Sequence, residues 1–367
     1  MPLFAVERLR HRTMRKAACS CEGPPAMRLT TLQPPPPGTA LEVAPGIRWV
    51  RMPIPTPLAH VNLWLLADEP GWTAVDTGLA TPEAREAWEA LLAEHPLRRL
   101  IATHFHPDHL GLAGWLEEKV GAPLWITFGE YATALLCFHG IAGFAPEATQ
   151  AFFRSHGLEE ARLQTRALGT NLFRLGAPSI PQTFRPIREG EAIPIGDHHW
   201  RVICGYGHSA DHASLHCAEA GILISGDMLL PRISTNVSAF AATPDSDPLG
   251  LFLDSLQRFE GLPAETLVLP SHGLPFRGLH IRIAQLREHH AARCSALQAA
   301  CQEAPLTAAD LIPVVFERAI TDPFQTFFAM GECLAHLVYL EKRGLLQREL
   351  GQGLIRFRSV DTKLPPP

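Results

Sequence analysis

Short apolar runs recur along this chain, and each ends on a polar residue, a rhythm that predicts strands feeding functional loops. Trp72-Thr73-Ala74-Val75 runs into Asp76 and the turn Thr77-Gly78. Arg99-Leu100-Ile101-Ala102 runs into Thr103-His104-Phe105-His106-Pro107-Asp108-His109. Residues 200–204 lead through Gly205-Tyr206-Gly207 to His208, Ile222-Leu223-Ile224-Ser225-Gly226 leads to Asp227, and residues 266–271 lead to His272. Between Ile47 and Asp76, apolar runs alternate with Pro and Gly breaks, as in an antiparallel sheet. Helices are expected over 84–94, opened by Thr81-Pro82-Glu83, and over 110–119 and 248–259. Strands and helices recur in two similar halves, which predicts an α/β fold: a four-layer αββα sandwich, two sheets face to face with helices outside.

Two segments fall outside that rhythm. Residues 128–186 carry eight aromatic rings, some at helical spacing, and read as a helical insertion between two of the polar loops. Its rings either pack the insertion onto the sandwich or line an apolar substrate pocket; Tyr131, Phe138, Phe152 and Phe153 are the candidates for the second role. Beyond His272, long helices are expected over 281–301 and 329–342, with a third opening at Thr307, followed by two short strands around Gly351-Gln352-Gly353. The chain therefore divides into a disordered basic and proline-rich tail (1–45), a catalytic domain (46–290) and a small C-terminal domain (291–367).

Composition narrows the field. With 367 residues, 46% of them apolar, the chain can bury one large core and a smaller module. A net charge of −5 gives no electrostatic reason to expect nucleic acid, and no apolar run is long enough to span a bilayer. From Pro305 onward seven basic residues face seven acidic ones, so the C-terminal end has little to gain by counterion release; a structural lid or a dimerisation element is the better reading. The eight cysteines are scattered, mostly in apolar segments, as reduced thiols of a cytoplasmic protein would be.

The loop from Thr103 to His109 gathers three imidazoles and a carboxylate, ligands that suit zinc and similar divalent ions. In order, spacing and strand context, Asp76, this loop, His208, Asp227 and His272 resemble the five-motif signature of the metallo-β-lactamase-fold hydrolases, over residues 47–290. The helices and hairpin at the end resemble the winged-helix module that some of these proteins carry. The resemblance implies a first metal held by His104, His106 and His208, and a second held by Asp108, His109 and His272. Asp227 would bridge them with one oxygen on each ion, and Asp76 would orient an imidazole from behind. His212 would support the site or touch substrate. The implied cofactor is two divalent ions, zinc first, with iron or manganese fitting the same donors.

The implied nucleophile is a metal-bound hydroxide, with Asp108 and Asp227 as the carboxylates at the reacting centre; the chain has no Gly-x-Ser-x-Gly elbow. An aspartate at 227, where common zinc β-lactamases carry cysteine, looks like the hydroxyacylglutathione hydrolases (glyoxalase II) and their lactonase and nuclease cousins. The expected reaction is cleavage of a thioester, or of a related activated ester or lactone, on a small-molecule acyl substrate. The alternative is a phosphodiesterase or RNA nuclease. Arg277, Arg282 and Arg287 are the candidates to grip substrate carboxylates, Arg277 first; solvating the helix after His272 is their other role.

Overall fold

In the central strands, apolar side chains point to both faces, which is what burial between two layers requires. The computed structural model describes residues 27–56, 58–165, 169–316 and 320–360. Strand β1 (Arg28–Leu29) opens it. Strands β2 (Ala40–Ala44), β3 (Ile47–Pro53), β4 (His60–Asp68), β5 (Gly71–Val75), β6 (Leu97–Ile101), β7 (Leu124–Thr127) and β8 (Arg185–Ile187) form one sheet in chain order. Strands β9 (Ala192–Ile195), β10 (His198–Gly205), β11 (His212–Cys217), β12 (Ile222–Gly226), β13 (Leu267–Pro270) and β14 (Phe276–Arg277) form the other, and β1 closes its edge against β14.

The alternation sorts these strands into layers. Ile47, Trp49, Trp64, Leu66 and Val75 of the first sheet meet Trp200, Val202, Leu215, Ile224 and Leu269 of the second in one core. The opposite faces carry Val50, Leu63 and Leu65 toward the helices Pro82–Glu94 and Ala113–Val120, and Leu223 and Val268 toward Pro248–Glu260 and Leu279–Ala300. The αββα sandwich is thus the observed fold. Thr81 caps the first of these helices, accepting the Ala84 N–H at 3.1 Å, with Pro82 at the first position.

The structure departs from expectation in four places. Part of the segment expected as a tail over 1–45 is structured: Arg28–Leu29 and Ala40–Ala44 are sheet edges, because apolar Leu29, Leu41 and Val43 have cores to join. Residues 1–26 lie outside the described residues. The helix expected over 110–119 is two pieces, Pro107–Leu110 and Ala113–Val120. The helix expected over 329–342 starts at Pro323, since Asp322 caps it by accepting the Gln325 N–H at 2.8 Å.

Finally, the boundary at 290 falls inside the continuous helix Leu279–Ala300. Leu286, Cys294 and Leu297 of that helix share one core with Leu256 of the sandwich and with Leu334 and Phe357 of the C-terminal end. That end is a helical module closed by the hairpin β15 (Leu346–Gly351) and β16 (Leu354–Ser359), and it is fused to the sandwich by apolar packing. Among the described residues no helix is long and apolar enough to cross a membrane.

Candidate metal centre

Five loops leave the carboxyl ends of β5, β6, β10, β12 and β13 at one edge of the sandwich, where open α/β sheets place their sites. Backbone hydrogen bonds lace the two sheets together there. The Ala213 N–H donates to the Thr103 carbonyl at 2.8 Å, and the Asn62 N–H to the Ser271 carbonyl at 2.7 Å. The buried Asn62 amide also donates to the carbonyls of Pro270 and Gly273, both at 2.8 Å, and so holds the turn that carries His272.

Seven side chains converge at this edge. His104 Nε2 lies 2.9 Å from His106 Nδ1 and 3.1 Å from His208 Nε2. Asp108 Oδ2 lies 3.6 Å from His109 Nε2 and 3.5 Å from His272 Nε2. Asp227 sits between the two groups: its Oδ2 is 3.5 Å from His208 Nε2 and 3.7 Å from His109 Nε2, and its Oδ1 is 3.6 Å from His272 Nε2. One oxygen of Asp227 therefore faces both clusters, where one oxygen per cluster was expected.

These spacings fit cations. Donors placed 2.0–2.1 Å from a tetrahedral zinc are about 3.3–3.4 Å apart, a separation bracketed by the 2.9 to 3.7 Å seen along these edges. His109 Nε2 and Asp227 Oδ1 are buried and find no hydrogen-bond partner among the described residues, a costly state that a bound ion would relieve.

The ligand rings are aimed by what holds their other nitrogens. The Nδ1–H of His208 donates to the Asn236 carbonyl at 2.7 Å, and that of His272 to the His60 carbonyl at 2.9 Å. His109 Nδ1 donates to Asp76 Oδ2 at 2.8 Å, and His104 Nδ1 lies 3.0 Å from the Thr103 hydroxyl. A carbonyl or carboxylate can only accept, so the proton is fixed on Nδ1 and the Nε2 lone pair is left for the cage. Asp76 carries this role in a left-handed backbone conformation (φ 65°), and its Oδ1 also takes the Thr103 N–H at 2.7 Å.

His212 stands behind Asp227, accepting the Asp227 N–H on Nε2 at 3.1 Å. Its ring is fully buried. The ring needs Gly226: a Cβ there would lie 2.3 Å from His212 Nε2.

Electrostatics divides the rings into two sorts. Burial drives the His104 pKa well below its ordinary value and that of His106 down to about 3, so both are neutral donors at any physiological pH. Burial also opposes charge on His109, but Asp108, Asp76 and Asp227 outweigh it and lift the group to about 10. At that ring a proton and a cation compete for one lone pair. Nearby, burial lifts the Glu130 carboxyl to about 7 against the pull of its hydrogen-bond donors.

The aromatic candidates are placed differently. Tyr131 is buried, with its hydroxyl donating to the Pro181 carbonyl at 2.7 Å and its ring stacked on Phe184. Phe153 is buried in the core that joins the sandwich to the C-terminal module. Phe138 packs beside the helix layer of the first sheet under Arg174, and Phe152 packs against His156. All four rings have packing contacts within the fold, as a small inserted unit that must bury its own apolar surface requires. Arg277, the exposed residue of β14, donates to the Glu265 carbonyl. Thr103, Asn62, Asn236 and Glu130 went unnoticed in the sequence; only Asn62, a lone polar side chain inside the apolar run of β4, left a signal.

One consequence of the Asp76 contact is measurable. Asp76→Asn leaves one acceptor oxygen for the N–H groups of Thr103 and His109, which the carboxylate takes with two, and zinc affinity of the cluster holding His109 should fall about 10–100-fold by chelator competition.

The comparisons agree with the geometry. The family model described as the Metallo-beta-lactamase superfamily matches residues 56–272, and that described as Metallo-beta-lactamase-like, C-terminal domain matches residues 294–360. The crystal structure of a beta-lactamase domain protein from Burkholderia ambifaria is 44% identical, covering 90% of this chain and 96% of its own, with a TM-score of 0.83. A probable metallo-hydrolase of Bacillus subtilis is 26% identical over 85% of this chain and 97% of its own. A hydroxyacylglutathione hydrolase of Cereibacter sphaeroides is 24% identical over 55% of this chain and 58% of its own. The fold and the site define a metal-site hydrolase architecture of the αββα type. This chain belongs to the metallo-beta-lactamase superfamily, and it is a metallo-hydrolase of that superfamily.

Proposed function

We propose that the protein hydrolyses a thioester, or a related activated ester or lactone, of a small acyl substrate at a two-cation centre. The observation that carries the reading is the single cage in which Asp227 stands between a three-histidine cluster and an Asp-His-His cluster. His104, His106 and His208 would hold one ion, Asp108, His109 and His272 the other, and Asp227 both. Two divalent cations, when bound, supply an activated water and a sink for the charge that develops on an acyl oxygen. The donors are nitrogen and oxygen only, which suits zinc first and also iron or manganese.

The chain's own residues do the rest. Asp108 is the most exposed of the ligand carboxylates, at 25% against 11% for Asp227, so water and substrate arrive from its side. The fixed Nδ1 protons of His109, His208 and His272 keep the cage rigid while charge moves.

Similarity to hydroxyacylglutathione hydrolases supports a thioester. A glutathione-specific grip has less support, because the three candidate arginines are engaged elsewhere. Arg282 is buried and donates to the Leu230 and Ile233 carbonyls, Arg287 pairs with Glu260, and Arg277 holds Glu265. Buried free thiols at Cys204, Cys217, Cys294, Cys301 and Cys333 support a reducing, cytoplasmic setting.

The test is a panel of S-lactoylglutathione, simple acyl thioesters, acyl lactones, a cephalosporin and a bis-phosphodiester, assayed with zinc-loaded protein. Turnover of a thioester or lactone is expected. Cleavage of the phosphodiester alone would replace the reading with a phosphodiesterase or nuclease.

A further inference from the structure

We infer that Glu130 is a positioning residue that clasps the two loops of the first cluster to one another and so sets its affinity for a cation. The inference rests on the cation reading above. Glu130 lies in the first turn of the helix Phe128–His139 and is fully buried. Its Oε2 accepts the Phe105 N–H at 2.8 Å, and Phe105 stands between His104 and His106. Its Oε1 accepts the Asp211 N–H at 2.7 Å, in the segment between His208 and His212. One side chain thus spans the two loops that must meet for three imidazoles to converge.

The clasp is closed from the other side as well. Asp211 Oδ1 accepts the Thr127 hydroxyl at 2.9 Å, and the Asp211 carbonyl accepts the same hydroxyl at 3.0 Å. The Asp211 carboxylate also takes the backbone N–H groups of Gly129 and Glu130. It fits so closely that a Cβ on Gly129 would lie 2.4 Å from Asp211 Oδ1. Helix and loop therefore hold each other by carboxylate to backbone N–H in both directions.

No ion pair to Glu130 is found among the described residues; the backbone N–H groups of Phe105 and Asp211 and the Ser209 hydroxyl balance its carboxylate. A buried carboxyl without a cation is a poor source of stability, and fixing geometry is the better account of it. Its chemistry is also specific. Both oxygens accept, which a glutamine cannot reproduce, because its NH₂ would face one of the two N–H donors. The second cluster is held by other groups, Asp76 behind His109 and the His60 carbonyl behind His272.

The experiment is zinc titration of the full chain against a chromophoric chelator, alongside urea unfolding of the metal-free protein. His208→Ala and His272→Ala variants assign the two binding constants to their clusters. Glu130→Gln should weaken the first cluster about 10–100-fold and leave the second within about threefold, the size of effect typical of groups that orient ligands. Asp76→Asn should show the reverse pattern. Unchanged affinity at both clusters, or an equal fall at both together with lost stability, would overturn the inference. Should Glu130→Gln fail to fold, Gly129→Ala displaces the Asp211 carboxylate without touching Glu130, and the same two outcomes decide. Wild-type protein that binds no zinc would sink the cation reading itself, a result distinct from two tight sites indifferent to Glu130.

Discussion

Replacing Asp227 by alanine is expected to lower turnover by about 10³-fold or more and to cut bound metal from close to two ions per chain to one or fewer. The magnitude follows from losing a charge contact worth several kcal/mol in the transition state, at a factor of ten for each 1.4 kcal/mol. Asp227 is singled out because its carboxylate lies beside both clusters, with Oδ2 3.5 Å from His208 Nε2 and Oδ1 3.6 Å from His272 Nε2. Its removal also leaves His208, His109 and His272 facing one another with less negative charge between them. Elemental analysis after gentle purification and a thioester assay check the two halves separately. Full metal content with intact activity would remove Asp227 from its shared position and the dinuclear reading with it.

The candidate site side chains were legible in the sequence because they follow apolar strands, and a strand end fixes where the next residue points. Asp76, Asp227 and His272 stood out by that rule, their roles came from the family resemblance, and the layered fold followed from the same runs. What the sequence hid were contacts made by backbone groups and by residues far away in the chain. Asn236 holds His208 through its carbonyl, which any residue type could supply, so no pattern marks it. Glu130 reads as an ordinary first-turn helix acid until the fold brings Phe105 and Asp211 to it. The aromatic insertion shows a related limit of pattern: composition cannot tell a ring that lines a pocket from one that packs a subdomain. Tyr131 and Phe153 are both buried in the fold. The missed start of the helix Pro323–Lys342 was different, since Asp322-Pro323 is a legible cap.

The second large effect is expected in the C-terminal module. Arg293 and Glu332 form an ion pair there, and Glu332 also accepts the Asn236 side-chain amide at 3.2 Å, just behind the carbonyl that holds His208. Arg293→Met should destabilise the protein by about 3–5 kcal/mol, because it strands a buried carboxylate. Burial already raises the Glu332 pKa, and Arg293 works against that rise, so the substitution should push the group higher still.

The sign of the pH dependence follows. A carboxyl whose folded pKa lies above its unfolded value binds more protons when folded, so the stability linked to it is present at low pH and lost as pH rises through the folded pKa. The deficit of Arg293→Met should therefore be smaller near pH 5 and deepen toward pH 8. Urea midpoints of wild type, Arg293→Met and Arg293→Met/Glu332→Leu at both pH values measure it. The double variant should recover much of the loss and its pH slope, since no buried charge remains to be stranded. A deficit independent of pH would mean that lost packing of Arg293 over the Phe316 ring, and not the unpaired carboxylate, is what the substitution removes.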